Sequence, residues 1–255
     1  MNSHEIDYKI IGDDIQLVEV ELDPQETVIA EAGAMLYMEE GISFETKLGD
    51  GSTPGECFIG KLFSAVSRVL TGESIFMTHF TNQGLGKRKV SFAAPYPGKI
   101  IPIDLKECGG QIIVQKDGFL SAAMGTKVTV TLNKRFGAGL LGGEGFILQK
   151  LQGDGKAFLH AGGTVIEKTL NNESLRIDTG CIVAYEPQID FNIETSGSLK
   201  LMVFGGEVIF LATLSGTGKV WLQSMPIRKH IQRLSPMCKN VRKGSSSILG
   251  NFLEV

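Results

Sequence analysis

The sequence predicts an all-β protein, a β-sandwich or barrel built from three diverged internal repeats. Three observations favour this fold: 32 glycines against 8 prolines, short apolar runs between those glycines, and two motifs that alternate three times along the chain. Glycines that separate short apolar runs are typical of tight turns and bulges in β structure. At 255 residues the chain is long enough to bury a core without disulfides.

The first motif is an apolar strand, an acidic residue, a glycine and a second apolar strand. Its copies are Val28–Leu36, Ile113–Leu120 and Leu175–Val183. We call their glycines, Gly33, Gly118 and Gly180, the marker glycines. The acidic residue stands two positions before the marker glycine in the first and third copies and one position before it in the second. The pattern predicts three structurally equivalent turns.

The second motif begins with Gly-Glu before a strand and ends with a Gly-x-Gly-Lys turn before another apolar strand. The Gly-Glu pairs begin at Gly72, Gly143 and Gly206, and the turns cover residues 84–87, 153–156 and 216–219. Two glycines around one residue supply the positive φ angles that a short hairpin loop or a G1 bulge needs. We therefore predict a β-hairpin at each turn, with Phe146–Leu151 and Ala157–His160 as the strands that flank the second turn, and a further strand at Lys127–Leu132.

The first repeat carries an insertion of about residues 47–71, which predicts one short amphipathic helix over Phe58–Leu70. Apolar residues recur there with helical spacing, and Gly72 ends the pattern. Two interpretations stay open: the apolar face caps the protein's own core, or part of it meets a partner subunit or a membrane, with two basic residues near anionic headgroups. The candidate contact residues are Phe58, Lys61, Leu62, Phe63 and Arg68.

The repeated Gly-Glu strands, the Gly-x-Gly-Lys turns and the run Ala30–Met35 together resemble a widespread family of bacterial proteins of unknown function. Its eukaryotic relatives are mitochondrial inner-membrane biogenesis proteins named for altered inheritance of mitochondria. The resemblance covers about residues 8–225. It implies a β fold similar to the tryptophan RNA-binding attenuation protein and brings no enzyme activity. RNA binding does not follow from that fold, because function belongs to sites rather than folds.

The domain organisation follows from the repeats and the charge. We expect a single all-β domain over residues 1–227, with repeats at about 8–98, 99–165 and 166–225, and a peripheral basic tail over 228–255. The tail holds six of the 25 bases and one of the 28 acids, so the remaining chain has 19 bases against 27 acids, a net charge of −8. An acidic body argues against nucleic-acid binding.

Three acidic residues open the second-motif strands, Glu73, Glu144 and Glu207. They would form a metal site only if the repeats brought their carboxylates together; isolated carboxylates at strand starts are usually solvated, so we predict no metal here. Residues 137–142 match the dinucleotide fingerprint, but a strand follows where that site needs a helix. No histidine has metal-ligand spacing, and no nucleophile elbow is present. We expect no cofactor.

The polar N-terminus and the broken apolar stretch 201–214 predict neither a signal peptide nor a membrane span, so we expect a cytoplasmic protein with reduced cysteines. The functional hypothesis is a non-enzymatic β scaffold, a homo-oligomer that engages another protein or a membrane surface. The alternative is a small-molecule-binding protein or enzyme with a pocket between repeats. A polar residue that breaks the repeat symmetry at a core position would favour that alternative.

Overall fold

The computed structural model of the chain describes residues 3–31, 33–48, 76–94, 96–134, 146–193, 202–204, 207–209, 211–231 and 234. Its strands, in chain order, are β1 (Asp7–Ile11), β2 (Leu17–Leu22), β3 (Thr27–Ala30), β4 (Met35–Met38), β5 (Ile42–Leu48), β6 (Phe76–Asn82), β7 (Arg88–Ala93), β8 (Gly98–Asp104), β9 (Gln111–Gln115), β10 (Phe119–Ala123), β11 (Lys127–Lys134), β12 (Phe146–Gln152), β13 (Lys156–Gly162), β14 (Val165–Asp178), β15 (Ile182–Tyr185), β16 (Ile189–Ile193), β17 (Met202–Phe204), β18 (Glu207–Ile209) and β19 (Leu211–Gln223). Two 3₁₀ turns, Lys116–Gly118 and Thr179–Cys181, and a short helix over residues 227–231 complete the described structure. The fold is all-β, as predicted; the predicted helix Phe58–Leu70 lies outside the described residues.

The strands form three main antiparallel sheets that curl into a half-barrel. The first sheet has the order β1-β2-β7-β4, the second β5-β6-β3-β10-β13-β8, and the third β11-β12-β9-β15-β19-β14, with β16 also paired to β19. Strands β17 and β18 form a separate ribbon. The second and third sheets therefore each contain strands from two successive repeats.

The pairing scheme is the same in three successive segments of the chain. The segments are β3 to β7, β9 to β13, and the second half of β14 to the end of β19. In the first two segments the first and third strands pair with the fourth strand, and the second strand pairs with the fifth. In the third segment the two halves of β19 take the places of the fourth and fifth strands: the second half of β14 and β16 pair with its first half, and β15 pairs with its second half. The ribbon of β17 and β18 lies between β16 and β19 in the chain and is not part of this scheme. The pairing of the second with the fifth strand contains a register shift in all three. These pairings support the repeat, and the superposition of the three copies stays a prediction.

The Gly-x-Gly-Lys segments are not hairpins, so that prediction is wrong. The strands on either side of the first two, β6 and β7, and β12 and β13, lie in different sheets and do not pair with each other. The third segment lies inside the continuous strand β19, where Gly216 and Gly218 have φ angles of 126° and 154°. At the first two segments, which we call the first and second corners, the chain passes from one sheet into the next, and Gly84, Gly86, Gly153 and Gly155 do not have the predicted positive φ angles. The predicted angles occur in the third segment.

The core consists of three apolar clusters that follow the sheets. Trp221 in the third repeat is 4% exposed, and its indole Nε1 donates to Glu167 Oε2 at 3.0 Å. Its counterpart in the second repeat, Phe158, is fully buried. No helix within the described residues is both long and apolar enough to cross a bilayer.

Candidate functional site

Three acid–glycine turns connect the first strand of each segment to its second strand. They carry the acidic residues Glu31, Asp117 and Asp178. In the second and third turns the marker glycine lies in a 3₁₀ turn, and Asp178 Oδ1 accepts the backbone N–H of Gly180 at 2.9 Å. In the first turn Gly33 has a φ of 88°. The turns occupy equivalent places in the chain but differ in backbone conformation.

The segment after β19 binds two of these turns. Arg228 Nε donates to Asp117 Oδ2 at 3.4 Å, and Lys229 Nζ lies 2.5 Å from Asp178 Oδ2. Pro226 is buried and packs beside Gly180. Two bases of the predicted tail thus form ion pairs with the acidic body, which anchors the start of this segment to the second and third turns.

We expect the anchoring contacts to end with the helix. Removing residues 233–255 should leave the melting temperature nearly unchanged. Removing residues 226–255 should lower the free energy of unfolding by about 2 kcal/mol, because it deletes two partly exposed ion pairs of roughly 1 kcal/mol or less each and uncovers apolar surface. Thermal and urea unfolding of the two truncated chains measure this, and equal losses in both would show that residues 233–255 also support the core.

The side chain of Glu31 in the first turn is partly buried, and its carboxyl has a raised pKa. Burial raises its pKa to about 7; the positive charge of Lys116 lowers it, and the negative charge of Asp117 adds to the rise. The Glu31 backbone N–H donates to the carbonyl of Leu120 at 3.1 Å, which places the turn against β10. This carboxyl changes protonation near neutral pH, unlike an ordinary glutamate.

Tyr96 and His160 lie beside the second turn. Their rings meet edge to face, with centroids 4.5 Å apart, and Tyr96 Oη donates to the carbonyl of Asp117 at 3.2 Å. Burial lowers the pKa of His160 to about 4, opposed by a hydrogen bond with the backbone of Tyr96. His160 is therefore neutral at physiological pH. The lowered pKa of His160 makes the stability of the fold depend on pH. The described pair of rings contains no side chain activated as a nucleophile.

A polar residue does break the repeat symmetry in the core. Asn82 stands two residues before its Gly-x-Gly-Lys turn, where the other repeats have Leu151 and Leu214, and all three are fully buried. The Asn82 side-chain amide donates to the carbonyls of Leu22 and Gly86 at 2.8 Å each, and its Oδ1 accepts from Gly84 N at 2.8 Å. Its polar atoms are used inside the protein, so Asn82 organises the first corner and offers nothing to a ligand.

An exposed apolar edge is the other candidate. β4 is the last strand of the first sheet, and Met35, Leu36 and Tyr37 are 40%, 54% and 40% exposed. The next strand, β5, is the edge of the second sheet and exposes 60% of Phe44. An unpaired apolar edge is a template for pairing with another strand. We call Met35, Leu36 and Tyr37 of β4 the apolar edge.

The structure places few of the residues predicted as sites. Phe58, Lys61, Leu62, Phe63, Arg68, Glu73 and Glu144 lie outside the described residues, and Glu207 begins β18 opposite Phe204. Among the residues that are described, no three histidine, cysteine or acidic side chains lie close enough to hold a metal ion.

Sequence reasoning identified the acid–glycine turns but missed what surrounds them. Tyr96, His160 and Arg228 reach the second turn through contacts between distant strands, and no sequence spacing signals such contacts. The exposure of β4 was also missed, because its apolar run resembles that of its buried counterparts. A comparison of Asn82 with its two leucine counterparts would have identified the first corner.

The described strands define an all-β protein whose sheets curl into a half-barrel. The model of the family described as mitochondrial biogenesis AIM24 matches residues 8–225. The chain belongs to this family, in agreement with the resemblance found in its motifs.

Two bacterial proteins are similar over most of the chain. An uncharacterised protein of Streptococcus pyogenes serotype M6 is 28% identical over 230 residues, which cover 88% of each chain. A crystal structure of a Streptococcus pyogenes protein matches with a TM-score of 0.74 at 22% identity, covering 91% of this chain and all of that one. The second likeness shows a shared fold.

Proposed function

We propose that this protein is a non-enzymatic β scaffold that acts by assembling with further protein chains, beginning with copies of itself. The observation that carries the proposal is the apolar edge, because β4 exposes three successive large apolar side chains and its outer edge pairs with no other described strand. Natural proteins usually protect such edges with charges, proline or a covering element. Apolar side chains grouped at an edge mark interaction sites more often than isolated ones do.

The charge of the protein favours a protein partner over a membrane. The chain outside residues 228–255 carries a net charge of −8, from 19 bases and 27 acids. Such a body is repelled by anionic lipid headgroups, whereas membrane-surface segments are usually basic. The membrane alternative belongs to residues outside the described structure, Lys61 and Arg68.

The test is the replacement of Leu36 by lysine, with Leu85 replaced by lysine as the control. Both leucines are exposed, Leu36 by 54% and Leu85 by 102%, but Leu85 lies in the first Gly-x-Gly-Lys turn and is not part of β4. Substitutions at exposed positions leave stability nearly unchanged. Light scattering after size-exclusion chromatography should show an oligomer for the wild type and L85K, and a folded monomer for L36K.

Two outcomes would contradict the scaffold. A wild-type protein that stays monomeric at the highest soluble concentration would contradict the proposed self-assembly. Flotation of the wild type with anionic vesicles, lost in L36K while the protein stays monomeric, would replace protein assembly by membrane binding. Circular dichroism of both variants confirms that the fold is retained in each comparison.

A further inference from the structure

Successive segments of the chain are joined by one kind of strand pairing, which we call the junction. In a junction the first strand of one segment pairs antiparallel with the second strand of the next: β3 with β10, and β9 with β15. At the first junction Ala122 pairs with Ile29, and at the second Ala184 pairs with Val114.

The two junctions also have the same register. Ala122 and Ala184 stand four residues after their marker glycines, and Ile29 and Val114 stand four residues before theirs. The following pairs, Ala123 with Val28 and Tyr185 with Ile113, join positions five after and five before. A single rule therefore describes both junctions: a position after one marker glycine pairs with the equally distant position before the preceding marker glycine.

A third junction of this kind has both of its strands, but the described residues show no pairing between them. The second strand of the first segment, β4, pairs only with β7, and β14 pairs only with β19 within the described chain. The free edge of β14 over residues 173–178 is the first strand of the last segment. Among the described strands, the series of segments thus has one strand of each type without a junction partner.

We infer that β4 of one copy pairs antiparallel with residues 173–178 of a second copy, which repeats the junction between molecules. The register rule pairs Leu36 with Ile177, Tyr37 with Arg176, and Met38 with Leu175. This inference rests on the proposed self-assembly and adds the partner strand and the register. Because the two edges differ, the contact is head-to-tail, so it produces a closed ring or a linear chain of copies.

The exposure of equivalent residues supports a partner strand for β4 in a second copy. The counterparts of Leu36, three residues after the marker glycine, are Ser121 and Val183, which are 0% and 1% exposed. Leu36 itself is 54% exposed. Because the position is buried wherever its junction is formed, the exposure of Leu36 reports a junction without its second strand.

Charge also fits a second copy of this chain. Ile29 and Val114 occupy the position of Arg176 in the other two segments, and both are fully buried apolar residues. The third junction therefore differs from the others at this position. The register places Arg176 beside Tyr37 of the other copy. The hydroxyl of that Tyr37 donates to Glu19 of its own copy. A guanidinium against an aromatic ring and near a carboxylate is a favourable arrangement, and it selects this edge over an apolar one.

Disulfide cross-linking between two differently labelled chains tests the pairing. The four natural cysteines, Cys57, Cys108, Cys181 and Cys238, are replaced by serine, and one chain then carries Leu36→Cys while the other carries Ile177→Cys. Mild oxidation of the mixture should give a linked dimer that neither chain forms in the same yield alone. Leu85→Cys mixed with Ile177→Cys controls for random collision, and Leu36→Cys mixed with Glu173→Cys controls for the register.

The outcomes separate this inference from the proposed scaffold. An assembled protein without the Leu36–Ile177 cross-link would overturn the pairing and leave self-assembly intact, whereas a monomeric protein would overturn both. A chain carrying both cysteines that links only within itself would show that β4 and β14 close inside one molecule, which also overturns the pairing.

A complementation experiment with the natural cysteines gives an independent measurement. L36K blocks only the β4 edge, and Arg176→Glu blocks only the β14 edge by placing an acid near Glu19. Each variant alone should be monomeric, while an equal mixture should form dimers through the two intact edges. Two variants that fail to associate when mixed would contradict a head-to-tail contact.

Discussion

Replacing Asn82 by leucine is expected to lower the free energy of unfolding by on the order of 3–5 kcal/mol, although leucine is the residue that the other two repeats carry at this position. Asn82 is fully buried and makes three hydrogen bonds of 2.8 Å to backbone atoms of Leu22, Gly84 and Gly86. Each such bond contributes about 1 kcal/mol, and a buried group left without a partner costs about 1–3 kcal/mol. Leucine cannot replace these bonds.

The repeat would predict the opposite result. Leu151 and Leu214 are fully buried at the equivalent position, and the gain from burying a leucine is roughly 1.5–3 kcal/mol. Urea unfolding of N82L decides between the two, with Gln83→Leu as the control, because Gln83 is the exposed neighbour on the same corner. A variant as stable as the wild type would show that the first corner can adopt the geometry of the others.

Asn82 also shows how far the repeat predicts the structure. The sequence motifs predicted the strands at Lys127–Leu132 and Phe146–Leu151, which the structure confirms as β11 and β12. They also predicted the all-β class. These features depend on local alternation and spacing, which the sequence displays directly.

The hairpins were wrong for a physical reason. A Gly-x-Gly-Lys turn between two apolar strands has the same local pattern whether the strands pair with each other or enter different sheets. The choice depends on which distant strands are available: β12 pairs with β9 and β11, and β13 pairs with β8 and β10. These partner strands are distant in the sequence, so the local pattern of a turn does not show whether its flanking strands pair with each other or with distant strands. The corners could therefore not be predicted from the turns alone.

The surroundings of the acid–glycine turns depend on the same long-range pairing. The acidic residues were visible in the motif, but their different roles were not. Asp117 and Asp178 have bases from the segment after β19, whereas Glu31 is partly buried and has a raised pKa. The equivalent positions therefore differ in their surroundings, and the raised pKa of Glu31 leads to a prediction about pH.

Replacing Glu31 by glutamine is expected to stabilise the protein at pH 8 by up to about 3 kcal/mol and to have little effect below pH 4.5. Burial raises the pKa of Glu31 from 4.5 to about 7 in the folded protein. The folded protein therefore holds this proton more tightly than the unfolded chain does, and stability is lost as pH rises from about 4.5 to 7. The magnitude follows from ~1.4 kcal/mol per pKa unit, as an upper bound for a partly buried group.

His160 acts in the opposite direction over nearly the same pH range. Burial lowers its pKa from 6.5 to about 4 in the folded protein, so the unfolded chain binds the proton first and stability is lost as pH falls below about 6.5. In the wild type these two contributions offset each other between pH 4.5 and 6.5. In E31Q only the histidine contribution remains, so stability should rise with pH across that range.

Urea unfolding of the wild type and E31Q at pH 4.5, 6 and 8 measures this difference. Glu40→Gln is the matched control, because Glu40 is exposed in the turn before β5, and it should leave the pH dependence unchanged. Parallel curves for the wild type and E31Q would show that Glu31 is ionised at its ordinary pKa in the folded protein. A difference that grows from pH 4.5 to 8 would identify the first acid–glycine turn as a group that weakens the fold as pH rises, next to the strand β4 on which the proposed assembly depends.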